Sequence, residues 1–461
     1  MLDYSYRLFL SNWVLNDPIF NLKYFLWSKI PLHHKQNIQI PVSYLRINID
    51  LMVIYMSNGN NHRSTVFSNG HVSRVSGDGT LKIPRELLSQ LNVPESSPVM
   101  VEAFRECLLV CPIEKMKLNS IYLEITSKCN LNCIMCVRRV WKDEIGNMDF
   151  KLLKKIIREA KELGVEWVWF AGYGEPLIYD HFEEAVEEVK QNKIKLGITT
   201  NGTLLDEDMA KTLIKYGIDR VVVSIDSPFE EKFKKIRGTE MSKIIGNIRH
   251  LYEKSQKSKK PEIWVEIVAM RDNIEDLPVL VDLAGKSGAT TILVSNLLPY
   301  TYELAQQTLY FNGHNIASDI ILEASKRAIA SKVRLLTPYF ELKTQRSCNF
   351  IEKGSCVVTW NGDVCPCYNF MHTYPCIING RKKMIHKVSF GNLNDQSLKN
   401  VWFNPKYVRF RFTVKNFSFP SCTDCEFQEF CWFVEENLMD CWGNSPSCAD
   451  CLWARKIIQC P

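Results

Sequence analysis

At 461 residues the chain has room for two to four domains, each able to bury its own core. With 46% apolar and 23% charged residues it has the composition of an ordinary globular protein, and a net charge of +6 is too small for this length to argue for or against nucleic acid. Seventeen cysteines in so long a chain exclude the disulfide framework of a small secreted domain, and no run reaches the ~18–20 uncharged apolar residues of a membrane-spanning helix.

The first 55 residues are rich in Tyr, Leu, Ile, Asn and Phe and show no sustained period. They read as a membrane-surface segment, a family-specific extension, or translated sequence ahead of a true start at Met52 or Met56, and the last is favoured. No secretory signal pattern is evident. Residues 1–64 are therefore set aside as an extension. A compact unit is expected over 65–116. His71-Val-Ser-Arg-Val75 alternates, Gly77-Asp-Gly79 turns, and Leu81-Lys-Ile83 leads into Pro84, which opens a helix over 85–91. Val99–Ala103 and Cys107–Cys111 read as a hairpin, with Cys107 and Cys111 as small core residues. This order resembles the AbrB/SpoVT swapped-hairpin domain, which implies a dimeric DNA binder. The basic residues are few (Arg74, Lys82, Arg85), so docking or homodimer formation is the better expectation and DNA binding the weaker one.

From 121 to about 330 strands and helices alternate, the pattern of a parallel sheet built from βαβ units over a domain of 117–335. Six strands are expected, over 121–126, 167–170, 194–199, 220–225, 263–269 and 290–294. Helices are expected between them, the first marked by Phe150, Leu153, Ile156, Ile157 and Ala160 at helical spacing. The first strand runs into Ser127-Lys-Cys-Asn-Leu-Asn-Cys-Ile-Met-Cys136. C-x3-C-x2-C places Cys129, Cys133 and Cys136 on one short loop, enough for three corners of a [4Fe–4S] cube. A closed cluster takes four cysteines, so one iron would stay open for chemistry. Three of four zinc ligands is the competing reading.

Polar motifs then fall after successive strands, where barrels of this kind gather function. They are Gly172-Tyr-Gly-Glu-Pro176, Thr199-Thr-Asn-Gly202, Ser224-Ile-Asp226 with Arg237-Gly238 beyond it, and Ser295–Tyr302, whose Asn296, Tyr300 and Tyr302 are candidate substrate contacts. The final part, 336–461, holds twelve cysteines. Cys348-x7-Cys356-x5-Gly362-x4-Cys367 contains the Asn361-Gly362 turn of a small hairpin. Cys422-x2-Cys425-x5-Cys431 leads to Cys441, Cys448-x2-Cys451 and Cys460.

The cysteine triplet resembles the signature of the radical SAM enzymes, and the later pattern resembles their SPASM extension. The first resemblance implies a partial (β/α)6 TIM-type barrel whose open iron chelates S-adenosylmethionine (SAM). There, reductive cleavage makes a 5′-deoxyadenosyl radical. It also implies that Gly172, Tyr173, Gly174 and Glu175 meet the SAM amino group, with Tyr173 turned away from SAM because it replaces a glycine. Thr200, Asn201, Ser224 and Asp226 would line the cofactor, and Arg237 would pair with its carboxylate.

The SPASM likeness implies two auxiliary [4Fe–4S] clusters, divided as Cys348, Cys356, Cys367 and Cys441 for one and Cys422, Cys425, Cys431 and Cys451 for the other. Glu435 stands where the pattern asks for a cysteine. From about residue 70 to the end, the chain is similar to maturases of the tungsten cofactor of aldehyde ferredoxin oxidoreductases. That implies a radical SAM enzyme acting on the tungstopterin or its host, a low-potential electron donor such as ferredoxin, and a cytoplasmic, membrane-free setting. A peptide maturase and an iron–sulfur-sensing DNA regulator are the alternatives. No catalytic base is assigned, since Asp363, His372 and Asp440 each have an ordinary turn or surface explanation.

Overall fold

The computed structural model describes residues 116–310, 317–342 and 344–460, together with short segments of 52–112. In the N-terminal unit these are β1 (Met52–Tyr55), β2 (Thr65–Ser68), β3 (His71–Arg74), α1 (Arg85–Gln90), β4 (Val99–Phe104) and β5 (Cys107–Pro112). The expected hairpin is β4–β5, and β1 adds to it in the antiparallel order β1–β5–β4. A strand of this sheet therefore comes from the segment set aside as an extension. β2 and β3 pair with each other. The turn at 77–79, Leu81, Lys82 and the first 51 residues lie outside the described residues.

The six strands expected from the alternation are present in the expected order. They are β6 (Ser120–Leu123), β7 (Trp167–Phe170), β8 (Lys195–Thr200), β9 (Arg220–Ser224), β10 (Glu262–Ala269) and β11 (Thr291–Asn296). Each pairs in parallel with the next. The crossovers are α2 (Phe150–Glu162), α3 (Phe182–Gln191), α4 (Glu207–Lys215), the pair α5 (Glu230–Arg237) and α6 (Met241–Ser255), and α7 (Leu277–Lys286). α2 shows the local logic. Asp149 caps it, accepting from Lys151 N at 2.8 Å and Leu152 N at 3.1 Å, and Leu153, Ile156, Ile157 and Ala160 form its buried stripe.

The sheet continues past the expected six strands at both edges. After α8 (Tyr302–Gln306) and α9 (Ala317–Ala330), β12 (Arg334–Leu336) pairs in parallel with β11. Beyond α10 (Asn349–Glu352), β13 (Ser355–Val358) pairs in parallel with β6, and β14 (Val364–Cys365) closes that side antiparallel. The first hairpin of the cysteine-rich part thus belongs to the barrel sheet, and the 335/336 division falls inside one hydrogen-bonded layer. The hairpin β15 (Tyr374–Ile378) and β16 (Arg381–Ile385), then α11 (Leu398–Trp402) and α12 (Pro405–Lys415), complete the ordered elements.

Aromatic rings fill the sheet's concave side away from the cysteine loop. Trp167 and Trp169 stack at 5.4 Å, and the Arg220 guanidinium lies 3.9 Å from the Trp264 ring centre. Gly197 makes room for this layer, since a Cβ there would come within 2.4 Å of the Trp169 ring. With that end packed, the loops at the strands' C-terminal ends surround a cavity.

Candidate active site

A cavity of about 260 Å³ opens where these loops converge, and Cys129, Cys133 and Cys136 all line it. Their loop is held from several sides. Ser127 N donates to Gly146 O at 3.0 Å, and the Arg138 guanidinium bridges Ser127 O and Leu131 O at 3.3 and 3.2 Å. Cys129 Sγ accepts from Leu131 N at 3.4 Å and from Asn201 Nδ2 at 3.8 Å. Burial holds all three thiols above their ordinary value, Cys133 up to about 11, with Arg237 pulling Cys133 partly back down. A buried site that disfavours free thiolates suits a metal centre that takes them up as ligands.

The strand-end motifs meet around the same space. Glu175 is 2% exposed, and its two oxygens already accept three hydrogen bonds. They come from Thr200 Oγ1 at 2.7 Å, Asn201 N at 2.7 Å and Leu177 N at 3.1 Å. Burial nonetheless pushes its carboxyl up to about 7. Thr200 and Asn201 thus join the end of β8 to the loop after β7, and Asn201 reaches on to the cysteine loop. Gly174 is needed because that loop passes directly over it, where a Cβ would lie 2.0 Å from Thr126 O. Gly172 also lines the cavity, and a Cβ there would meet Glu124 Cγ at 2.9 Å.

The Tyr173 ring packs edge-on against Trp141 at 5.5 Å, among the aromatic residues brought by the C-terminal part. Its backbone N–H donates to Glu124 Oε1 at 3.4 Å. Glu124 in turn faces His372 Nε2 at 3.0 Å, while His372 Nδ1 faces Asp143 at 3.0 Å. His372, read from the sequence as a turn or surface residue, is buried between two carboxylates. Glu124, Asp143 and Arg138 carry no motif, and only the fold brings them here.

On the opposite side Ser224 and Arg237 line the cavity. Asp226 does not. It is fully buried behind Arg237, accepting from Arg237 Nε at 2.5 Å and Val268 N at 2.9 Å. It therefore orients the guanidinium and leaves the outer fork toward the cavity. Glu266 on β10 also lines the wall, its carboxyl raised by burial to about 7. Of the candidate substrate contacts, Asn296 lines the cavity but spends its amide on the C-terminal tail, with Nδ2 donating to Ile457 O at 3.0 Å. The Tyr300 hydroxyl donates to Ile134 O, bracing the cysteine loop. Tyr302 is 57% exposed and away from the cavity.

The C-terminal thiols fall into two groups that differ from the expected division. Burial raises Cys348 (to about 12), Cys367 and Cys448, and the largest further contribution to each is the neighbouring Cys451. Cys422 and Cys441 are likewise raised by burial first and then by nearby charge, including Cys431 for both and Cys425 for Cys441. Cys441 therefore sits with Cys422, Cys425 and Cys431, and Cys451 with Cys348 and Cys367. Cys356 is with neither. It is on β13, fully buried in the core, and the one charged neighbour that shifts it is Arg411. Alternation along a strand turns it inward, which spacing alone does not reveal. Cys448 lies near Cys451, Cys367 and Cys348. Asp440 is scaffold, its carboxylate accepting from Trp442 N at 2.9 Å and Asn444 N at 3.0 Å.

A partial parallel barrel with three loop cysteines and an ion-paired arginine around one cavity defines a class of radical enzyme, and comparison with known proteins agrees. Residues 123–284 match the radical SAM superfamily and residues 348–426 the SPASM iron–sulfur cluster-binding domain, and the chain belongs to the radical SAM superfamily. Within it, the chain is 42% identical over 347 residues to the tungsten-containing aldehyde ferredoxin oxidoreductase cofactor-modifying protein of Pyrococcus furiosus, covering 74% of this chain and 96% of that one. It is 34% identical over 193 residues to a probable GTP 3′,8-cyclase of Methanococcus maripaludis, covering 41% of this chain and 62% of the cyclase. Among solved structures, Streptococcus suis SuiB bound to its precursor peptide SuiA has the same fold, with a TM-score of 0.53 at 17% identity and 84% of each chain covered. The protein is a radical SAM enzyme with an iron–sulfur-binding SPASM part.

Proposed function

We propose that this enzyme matures the tungstopterin cofactor of an aldehyde ferredoxin oxidoreductase, or that cofactor's host. The observation that carries the reading is the 42% identity to the Pyrococcus furiosus cofactor-modifying protein along 96% of its length. Cys129, Cys133 and Cys136 would hold the cluster whose fourth iron takes SAM. When bound, SAM and the reduced cluster supply a carbon-centred radical.

The chain's own residues set that chemistry in place. Glu175 offers the acceptor capacity left after its three donors to the SAM ammonium. Arg237, aimed by Asp226, pairs with the carboxylate. Asn201, Thr200 and Ser224 supply short polar contacts, and the aromatic wall of Tyr173 and Tyr368 keeps water from the reacting atoms. The two thiol groups are assigned to auxiliary clusters, Cys348, Cys367, Cys448 and Cys451 to one and Cys422, Cys425, Cys431 and Cys441 to the other. A low-potential donor of the ferredoxin class would supply electrons. The AbrB-like N-terminal unit would serve dimerisation or docking, with the whole working in the cytoplasm. Among the described residues no helix is long and apolar enough to cross a membrane.

The test is to produce a tungsten aldehyde ferredoxin oxidoreductase with and without this protein and compare the extracted cofactor and the host by mass spectrometry. A mass difference that depends on Cys133 is expected. Identical cofactor and host in both preparations would contradict the proposal.

A further inference from the structure

Besides Cys107 and Cys111 on β5, fifteen cysteines are described. Three stand on the loop after β6, and eight fall into the two C-terminal groups. Cys356, Cys365 and Cys376 are fully buried on β13, β14 and β15. That leaves Cys460, and it lines the reaction cavity together with Glu266, Tyr368 and Ser295.

The tail that brings it there is fastened. Asn296 Nδ2 donates to Ile457 O at 3.0 Å, Gln459 N to Ser295 Oγ at 3.1 Å, and Gln459 Nε2 to Thr337 O at 2.9 Å. These bonds hold residues 457–460 against the C-terminal end of β11, where Ile458, Gln459 and Cys460 line the cavity. Trp453 Nε1 donates to Cys460 Sγ at 3.1 Å, which occupies a sulfur lone pair. Among the described residues no acceptor takes up the S–H hydrogen. Burial raises the thiol well above its ordinary value, and the Glu266 carboxylate adds to this, so the group carries its hydrogen at neutral pH. Tyr122, Tyr173 and Tyr368 are all close by. Each is raised first by burial and next by Cys460.

We propose that Cys460 is a catalytic residue, the hydrogen-atom donor that quenches the carbon radical left on the substrate. The S–H bond is weaker than the C–H bond that forms, so the transfer runs downhill. The S–H bond breaks homolytically, the substrate carbon gains the hydrogen atom, and Cys460 is left as a thiyl radical. One electron from a low-potential carrier of the ferredoxin class and one proton restore the thiol. Glu266 lines the same cavity and would supply that proton. The proposal rests on the radical SAM chemistry of the enzyme and is independent of which substrate it matures.

The test uses the full chain reconstituted with iron and sulfide, with SAM as the added probe and no substrate, reduced in D2O. Without substrate, the nearest weak X–H bond in the cavity supplies the hydrogen that ends up in 5′-deoxyadenosine. The wild type is expected to yield deuterated 5′-deoxyadenosine, and Cys460→Ser, which keeps an acceptor for Trp453, is expected to lose the label. Iron content and SAM affinity, measured alongside, establish that the variant is folded and loaded. A second readout needs no turnover: the S–H stretching band in the infrared difference spectrum between wild type and Cys460→Ser, the mark of a protonated thiol, should shift when SAM is added. Unlabelled product from the wild type, or equal labelling in Cys460→Ser, would overturn the proposal, as would an S–H band that SAM leaves unchanged.

Discussion

Glu175 is a buried carboxylate whose oxygens offer about four acceptor sites, three of them already used, so about one remains for an incoming ammonium. Burial sets its carboxyl at about 7 in the folded protein, above the ordinary 4.5. Between those values the native state holds a proton that the unfolded chain has lost, so this group's contribution to stability falls as pH rises through that window. Binding runs the other way, because an ammonium pairs with the ionised form. SAM affinity should therefore weaken by about tenfold per pH unit below about 7 and level off above it. Calorimetric titration of SAM across that range checks this, and Glu175→Gln should flatten the profile. Some of this site was legible in residue types. The spacing of Cys129, Cys133 and Cys136, and the acid of Gly172–Pro176, carry chemistry in their sequence. Glu124 and His372 do not, since their contact joins positions 248 residues apart and leaves no local pattern.

At the scale of elements, the site depends on how closely the loop after β7 passes under the cysteine loop. Glu175 N donates to Lys128 O at 2.8 Å, and a Cβ on Gly174 would sit 2.0 Å from Thr126 O and 2.8 Å from Lys128 O. Both are backbone atoms, so the clash is relieved only by moving a loop. Gly174→Ala is therefore expected to lose about four irons per chain, those of the SAM-binding cluster, and to keep the auxiliary ones. Iron analysis and electron paramagnetic resonance check this, and unchanged iron content would count against the loop packing described. Most of these elements were readable from alternation and helical periodicity. β12 was not, because three residues are too short to set a period, and for β13 the hairpin at Asn361-Gly362 was legible while its distant pairing with β6 was not. The same gap explains the placing of Cys356. Spacing makes it a ligand candidate, and strand pairing turns it into the core.

At the scale of the molecule, the cysteine-rich part is built into the barrel. β13 extends the sheet beside β6, Tyr368, Ile458, Gln459 and Cys460 complete the cavity, and the buried Arg455 ties the segments at 421–423 and 449 together. It donates to Ala449 O at 2.9 Å and to Ser421 Oγ at 2.9 Å. The cavity and the two thiol groups thus share a single framework, which no motif alone conveys. The account stands or falls on the three loop cysteines serving radical chemistry. The direct measurement is formation of 5′-deoxyadenosine from SAM by the reconstituted, reduced protein, compared between the wild type and Cys133→Ala. The account predicts product from the wild type and its loss in the variant, with iron falling from about twelve to about eight per chain. Undiminished SAM cleavage in Cys133→Ala would contradict it.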